Sequence, residues 1–191
     1  MIPPFEAAAE FHDFLTSHNI SYAVIGAIAV QVWGEPRATQ DLDLTIAVPV
    51  ERTEAAIETL QSHFQSRIPD AADLARSKRI LLLKASNGVP VDISLGLPGY
   101  EDEVMTRASV IALAPGTEVR VCSPEDLVIH KCVAGRPNDL RDVEGIVARQ
   151  RARLDASYIR RWLRFFSDVL AMPDPLDRFE AAWRKAHPSP P

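Results

Sequence analysis

Two acids alternating with two leucines, Asp41-Leu42-Asp43-Leu44, form the stretch of this sequence best suited to chemistry. A period of two is that of a β-strand with one polar and one apolar face. Asp41 and Asp43 then point the same way, with Cα atoms about 6.5–7 Å apart. Like charges held this close repel, unless a cation lies between them. A hard, oxygen-seeking divalent ion such as Mg²⁺ suits two carboxylates. The competing reading is a solvated strand face bearing two surface acids. A third acid, Asp92, interrupts the apolar run Val89-Pro90-Val91-Asp92-Ile93-Ser94-Leu95. An unpartnered buried carboxylate is costly, so Asp92 faces either water or a cation.

Several elements must position these acids. Ser21–Ile25 reads as a short buried strand broken by Gly26, and Ala27–Trp33 as a short helix stopped by Gly34 and Pro36. A strand, a small-residue turn and a helix N-terminus aim free backbone N–H groups at whatever sits above the sheet, which suits phosphate. A tight turn with no ligand is the simpler alternative. Gln40–Val48 is the acid-bearing strand, ended by Pro49. Arg79–Ala85 and Val89–Leu95 form a hairpin across Asn87-Gly88. Val110–Leu113 and Thr117–Cys122 form a second one across Pro115-Gly116.

Phe5–His18, Glu51–Phe64 and Tyr100–Ala108 have helical spacing, and Asp70–Ser77 is a loop or short helix. Ser123-Pro124-Glu125-Asp126 is a helix start, with a capping serine, proline at the first turn and an acid at the third position. That helix runs to Ala134 and stops at Gly135. It carries Lys131 at the margin of its apolar arc, either solvated or leaning toward a cleft. Asp139–Arg149, Ala156–Ala171 and Leu176–Lys185 follow as helices, and Pro188–Pro191 as a loose tail. In Ala156–Ala171, Ile159, Trp162, Leu163, Phe166 and Leu170 keep one stripe. The expected architecture is α/β (α+β), a mixed sheet flanked by helices over 1–122 with a helical C-terminal region over 123–187.

The bulk properties narrow the class. The chain has 191 residues, 47% of them apolar, enough for one sizeable core. A net charge of −5 argues against an overall basic coat for nucleic acid. Locally, Arg149, Arg151, Arg153, Arg160, Arg161 and Arg164 cluster, either as a solvated helix face or against an RNA backbone. Cys122 and Cys132 stand in no CxxC pattern and suit a reducing compartment. The N-terminal residues lack a basic segment, and the most apolar stretch, Tyr22–Trp33, is too short to span a bilayer. A soluble cytoplasmic protein with no membrane contact is expected.

In order, Gly26-Ala27, Arg37-Ala38-Thr39, Asp41-Leu42-Asp43-Leu44, Val91-Asp92-Ile93 and Ser123–Val143 resemble the polymerase-β-like nucleotidyltransferase superfamily. Within it they look most like the AbiEii-type toxins and their uncharacterised relatives. The resemblance spans about Ser21 to Val143. It implies transfer of a nucleoside monophosphate from an NTP, ATP among them, to an acceptor hydroxyl with release of pyrophosphate. Two Mg²⁺ ions clamp the attacking and departing oxygens in such a reaction. It assigns Asp41, Asp43 and Asp92 to the metals and to catalysis, with Asp92 helping to activate the acceptor. Gly26 and Ala27 would cradle phosphates. Arg37, Thr39 and Lys131 would bind the nucleotide, with Asp139 or Asp142 orienting Lys131 or touching the nucleotide. The acceptor is tRNA or other RNA, a small molecule or a protein, with an antitoxin as a partner in the toxin-like case. Two alternatives stay open: a non-catalytic nucleotide-binding or toxin–antitoxin module, and a nuclease using the same acids. One departure is Ala27, where the superfamily has glycine or serine after the first glycine; alanine offers no hydroxyl and tolerates positive φ less well.

Overall fold

The computed structural model of the protein describes residues 2–172 and 174–188. The last three residues of the expected C-terminal tail lie outside the described residues. The chain divides into two compact units, Met1–Ile28 with Ala38–Cys122, and Ala29–Arg37 with Ser123–Pro191.

The first unit is built on one mixed sheet. Its strands are β1 (Tyr22–Val24), β2 (Leu42–Ala47), β3 (Gln65–Ser66), β4 (Ile80–Lys84), β5 (Pro90–Gly96), β6 (Ser109–Ala114) and β7 (Thr117–Val121). They lie in the order β3-β4-β5-β2-β1-β7-β6. β2 and β5 run parallel, as do β1 and β7, and the remaining neighbours are antiparallel. The fold is α+β, as expected. The two-residue β3 was not foreseen, because Gln65-Ser66 carries no apolar pattern.

Alternation along β2 puts Leu42, Leu44 and Ile46 on one face, in register with Val91, Ile93 and Leu95 of β5. All six are at most 1% exposed. Helix α1 (Pro3–Ser17) packs against β2 and β7, with Phe11 and Leu15 fully buried. Phe11 stacks on Phe64, just beyond α3 (Thr53–Gln61), with ring centroids 3.9 Å apart. Each such aliphatic or aromatic side chain contributes about 1.5–3 kcal/mol on burial. The opposite face of β2 carries Asp43, Thr45 and Ala47. There α5 (Tyr100–Arg107) packs against β1 and β2, and Thr45 Oγ1 donates to Glu101 Oε1 at 2.9 Å.

Asp70–Ser77, open between loop and helix from sequence, is α4 (Ala71–Lys78). It ends at Arg79, read from sequence as the first strand residue. Arg79 instead adopts φ 55°, a left-handed cap without glycine. Its guanidinium donates to Leu95 O, Thr53 Oγ1 at 3.1 Å and Val48 O at 2.7 Å. Those bonds hold the conformation against its steric cost.

The second unit contains α6 (Pro124–Ala134), α7 (Pro137–Gln150), α8 (Ala156–Leu170) and α9 (Asp174–Ala186). Ser123 caps α6 as expected, its Oγ accepting from Asp126 N–H, and Gly135 ends it at φ 64°. α7 starts two residues before the predicted boundary, because Pro137 fits its first turn and Asp139 Oδ2 reaches back to accept from Arg136 N–H at 3.2 Å. Helix α2 (Gly26–Trp33) begins in the first unit, and its last turns belong to the second. Gln150 Nε2 donates to Trp33 O at 2.7 Å there. The expected α8 stripe is only partly interior. Ile159 and Leu163 are fully buried, whereas Leu170 is 47% exposed and Trp162 and Phe166 are half-buried.

Arg79→Ala should lower unfolding stability by about 3 kcal/mol, since it strands carbonyls that lose a charged donor. Arg79→Gly, which relaxes φ but also loses the donors, should recover less than half of that. Urea midpoints of the two variants check this.

Candidate functional site

β1 ends where Ile25 N–H donates to Asp43 O at 3.0 Å, so the turn into α2 lies directly beside the acid strand. Gly26 takes φ 63° there. A Cβ at Gly26 would collide with the Asp43 carboxylate. Two independent constraints, the backbone conformation and this approach, therefore require glycine. The left-handed residue of the turn is Gly26 and not Ala27, which is buried in the helix that follows. The alanine departure thus leaves the turn geometry intact.

Asp43 pairs in parallel register with Asp92 of β5. Residues so paired share a sheet face, with strands about 4.8 Å apart. The sequence thereby brings two of its three acids side by side. Asp41 lies just before β2, which starts at Leu42 and not at the predicted Gln40. It is exposed, and Thr39 Oγ1 donates to its Oδ1. Among the described residues no cluster of three or more His, Cys, Asp or Glu side chains forms a metal centre.

Arg67 was not anticipated as part of this region. Its N–H donates to Leu82 O at 2.9 Å, and Leu82 is the β4 partner of Asp92. Arg67 Nη1 lies 2.8 Å from Asp92 Oδ1. That oxygen is shielded from water and, despite the ion pair, lacks a well-aligned hydrogen bond. The Asp92 side chain as a whole stays 41% exposed. The ion pair offsets the charge without sealing the carboxylate. No spacing rule links Arg67 to Asp92, which is why the sequence did not reveal it.

The donor set has a defined chemical fit. Two carboxylates in register on one face, with an exposed third acid two residues upstream, are hard oxygen ligands suited to Mg²⁺. Asp92 Oδ1 is a shielded acceptor lacking a well-aligned donor, and the glycine turn leaves no side chain between Asp43 and the start of α2.

Arg37, Lys131 and Asp142 come together in the second unit. Lys131 is 6% exposed, contrary to the solvated or cleft-leaning lysine expected from its marginal helix position. Its Nζ is 2.9 Å from Asp139 Oδ1 and 2.8 Å from Asp142 Oδ2. Asp142 also accepts from Arg37 Nε at 3.2 Å, and Asp139 from Arg136 Nε at 2.7 Å. Lys131 and its two carboxylates are nearly inaccessible, while Arg37 is 43% and Arg136 76% exposed. Asp139 and Asp142 both pair with the Lys131 ammonium. Burial pushes the Asp139 carboxyl up, but Arg136 and Lys131 outweigh it and leave it below the ordinary range.

A carboxyl depressed in the folded state adds stability above its unfolded pKa, near 3.9, and loses it as pH falls through its folded value. Acid unfolding should therefore steepen below about pH 4 in the native chain. Asp139→Asn should flatten that limb and cost about 3 kcal/mol at pH 7, since it leaves Lys131 with one carboxylate. Denaturant unfolding across pH measures both.

A family described as "Nucleotidyl transferase of unknown function (DUF2204)" matches residues 4–172. No curated protein matches the sequence. Solved structures share the fold, among them the following three. An antigenic nucleotidyltransferase-like protein from Paracoccidioides brasiliensis is 19% identical at a TM-score of 0.50, covering 93% of this chain and 92% of that one. The antibiotic-resistance factor ANT(2'')-Ia is 13% identical at a TM-score of 0.50, covering 95% and 89%. The lincosamide antibiotic adenylyltransferase LnuA, in its lincomycin-bound structure, is 12% identical at a TM-score of 0.50, covering 74% of this chain and 94% of that one. With the family match running over nearly all of the sequence that carries the acid strand, the glycine turn and the Lys131 helix, the chain belongs to the DUF2204 nucleotidyl transferases.

Proposed function

We propose that this nucleotidyltransferase moves a nucleoside monophosphate from a Mg²⁺-bound NTP to an acceptor hydroxyl. The observation that carries the reading is the parallel register of Asp43 and Asp92 beside the Gly26 turn. Asp41, Asp43 and Asp92 are the proposed metal-holding residues. Bound Mg²⁺ would neutralise charge developing on the phosphate oxygens. The Gly26–Ala27 backbone at the start of α2 would hold phosphate through its N–H groups. Arg37 and Thr39 are proposed on phosphate oxygens. Lys131, enclosed between two carboxylates, is better suited to hold Asp139 and Asp142 in place than to meet phosphate directly.

In the proposed step the acceptor oxygen attacks the α-phosphorus, a new P–O bond forms, and the bond to the β-phosphate oxygen breaks. The electron pair leaves with pyrophosphate, and the acceptor proton passes to Asp92 and then to solvent. Asp92 keeps an exposed carboxylate for this role beside Arg67.

Two sources bear on the acceptor. The resemblance to AbiEii-type toxins implies RNA such as tRNA, with an antitoxin partner. ANT(2'')-Ia and LnuA, with the same fold, are an antibiotic-resistance factor and an antibiotic adenylyltransferase, which supports a hydroxylated small molecule equally. The arginine run gives RNA little added support. Arg160 is bound to Glu180, Arg149 to Gly34 O and Arg151 to Ala148 O.

Incubating each of four α-labelled NTPs with Mg²⁺ and either total RNA or hydroxylated antibiotics should give pyrophosphate and one labelled acceptor class. Asp43→Asn should lower that rate by about 10³-fold or more while the chain stays folded. Equal rates in wild type and variant would refute the proposal. Shortening of RNA in place of labelling would indicate a nuclease. Gly26→Ala should reduce kcat by a comparable factor, since its Cβ displaces Asp43.

A further inference from the structure

Helix α8 carries more apolar surface than its own unit covers. Phe165, Val169 and Leu170 are 49%, 63% and 47% exposed, three of the exposed large apolar side chains within six residues of one helix. Trp162, Phe165 and Val169 follow one another at steps of three and four, the spacing of the a and d positions of a heptad seam, while Tyr158, a step earlier, is buried with its hydroxyl on Asp126 and stays out of the seam. Trp162 meets Phe165 edge to face at 5.3 Å between centroids, so the seam presents an ordered aromatic surface.

Charge on the flank of this seam is self-complementary. Arg161 and Asp168 are seven residues apart and therefore occupy the same heptad position. In an antiparallel pair of identical helices that position faces itself across the two-fold axis. Arg161 of one chain then lies opposite Asp168 of the other, and the reverse pair forms at the far end. The Arg161 guanidinium is already laid along the seam, 5.2 Å from the centroids of both Tyr158 and Trp162. A groove binder of uniform charge would leave one of the two residues facing its own sign.

We infer that α8 is a homodimerisation surface, in which a second copy of this chain packs its own α8 antiparallel on the seam. Trp162 of each copy packs against Phe165 of the other, with the exposed Val169 side chains at the two ends of the contact. The two Arg161–Asp168 pairs fix direction and register. The accessible seam is about two turns long, which suits a reversible dimer with a dissociation constant of about 10 μM. This inference does not depend on the reaction proposed above.

Sedimentation velocity of the full chain over about 1–200 μM tests it. Wild type should shift from monomer to dimer across that range. Phe165→Glu with Val169→Glu, both exposed and tolerable to the monomer fold, should abolish the shift while circular dichroism stays unchanged. Arg161→Asp alone should weaken association about tenfold or more, as should Asp168→Arg. The double exchange Arg161→Asp with Asp168→Arg should restore it. A monomer at every concentration would overturn the inference. So would a dimer indifferent to Phe165 and Val169, or a double exchange that fails to restore association, because each removes the seam or its two-fold pairing.

Discussion

The parallel pairing of β2 with β5 forces Asp43 and Asp92 onto one sheet face, one strand spacing apart. At an effective dielectric near 20, two charges at that spacing repel by about 3 kcal/mol. The same register buries Leu42, Leu44 and Ile46 against Val91, Ile93 and Leu95. Six buried aliphatic chains contribute on the order of 10 kcal/mol. The apolar face therefore dictates the register, and the acids on the reverse face accept the proximity it imposes. Arg67 moderates the repulsion on one side. On the other, the glycine turn leaves Asp43 room that a side chain would fill.

The cations of the second unit follow a different logic. Arg37, Lys131 and Arg136 surround Asp139 and Asp142 in a graded arrangement, with the lysine innermost and both arginines partly in solvent. A lysine this deep is tolerable only with its charge matched at hydrogen-bond distance. Two carboxylates supply that match, and each is shared with an arginine. α6 and α7 are thus tied by charge as well as by packing.

Most of the fold was legible because the sheet obeys period two and the helices carry their own stops. Leu42, Leu44 and Ile46 announced β2, Ser123 and Gly135 bracketed α6, and Asn87-Gly88 marked its hairpin. Asp41, Asp43, Asp92 and Gly26 stood out because acids within apolar strands and a glycine at a strand end are locally out of place. What stayed hidden is what only register supplies. The strand neighbour of Asp92 depends on sheet order, and Arg67 reaches it through β3, a strand too short and polar to signal itself. Lys131 was misplaced outward because a helical wheel gives direction but not what lies above that direction. Here two acids from the next helix close over it. Arg79 was misread because a left-handed cap usually advertises itself with glycine.

The second unit takes up a short segment, Ala29–Arg37, from between β1 and β2. Trp33 O and Gly34 O find their donors on Gln150 and Arg149, more than a hundred residues further along the chain. During synthesis at about 5–20 residues per second, that segment waits several seconds on the ribosome before its companions exist. The sheet strands on either side of it can meet earlier. The nascent polypeptide therefore holds a helix end whose apolar residues, Val30 and Val32 among them, stay uncovered through much of its own translation, a window in which a chaperone would have something to bind.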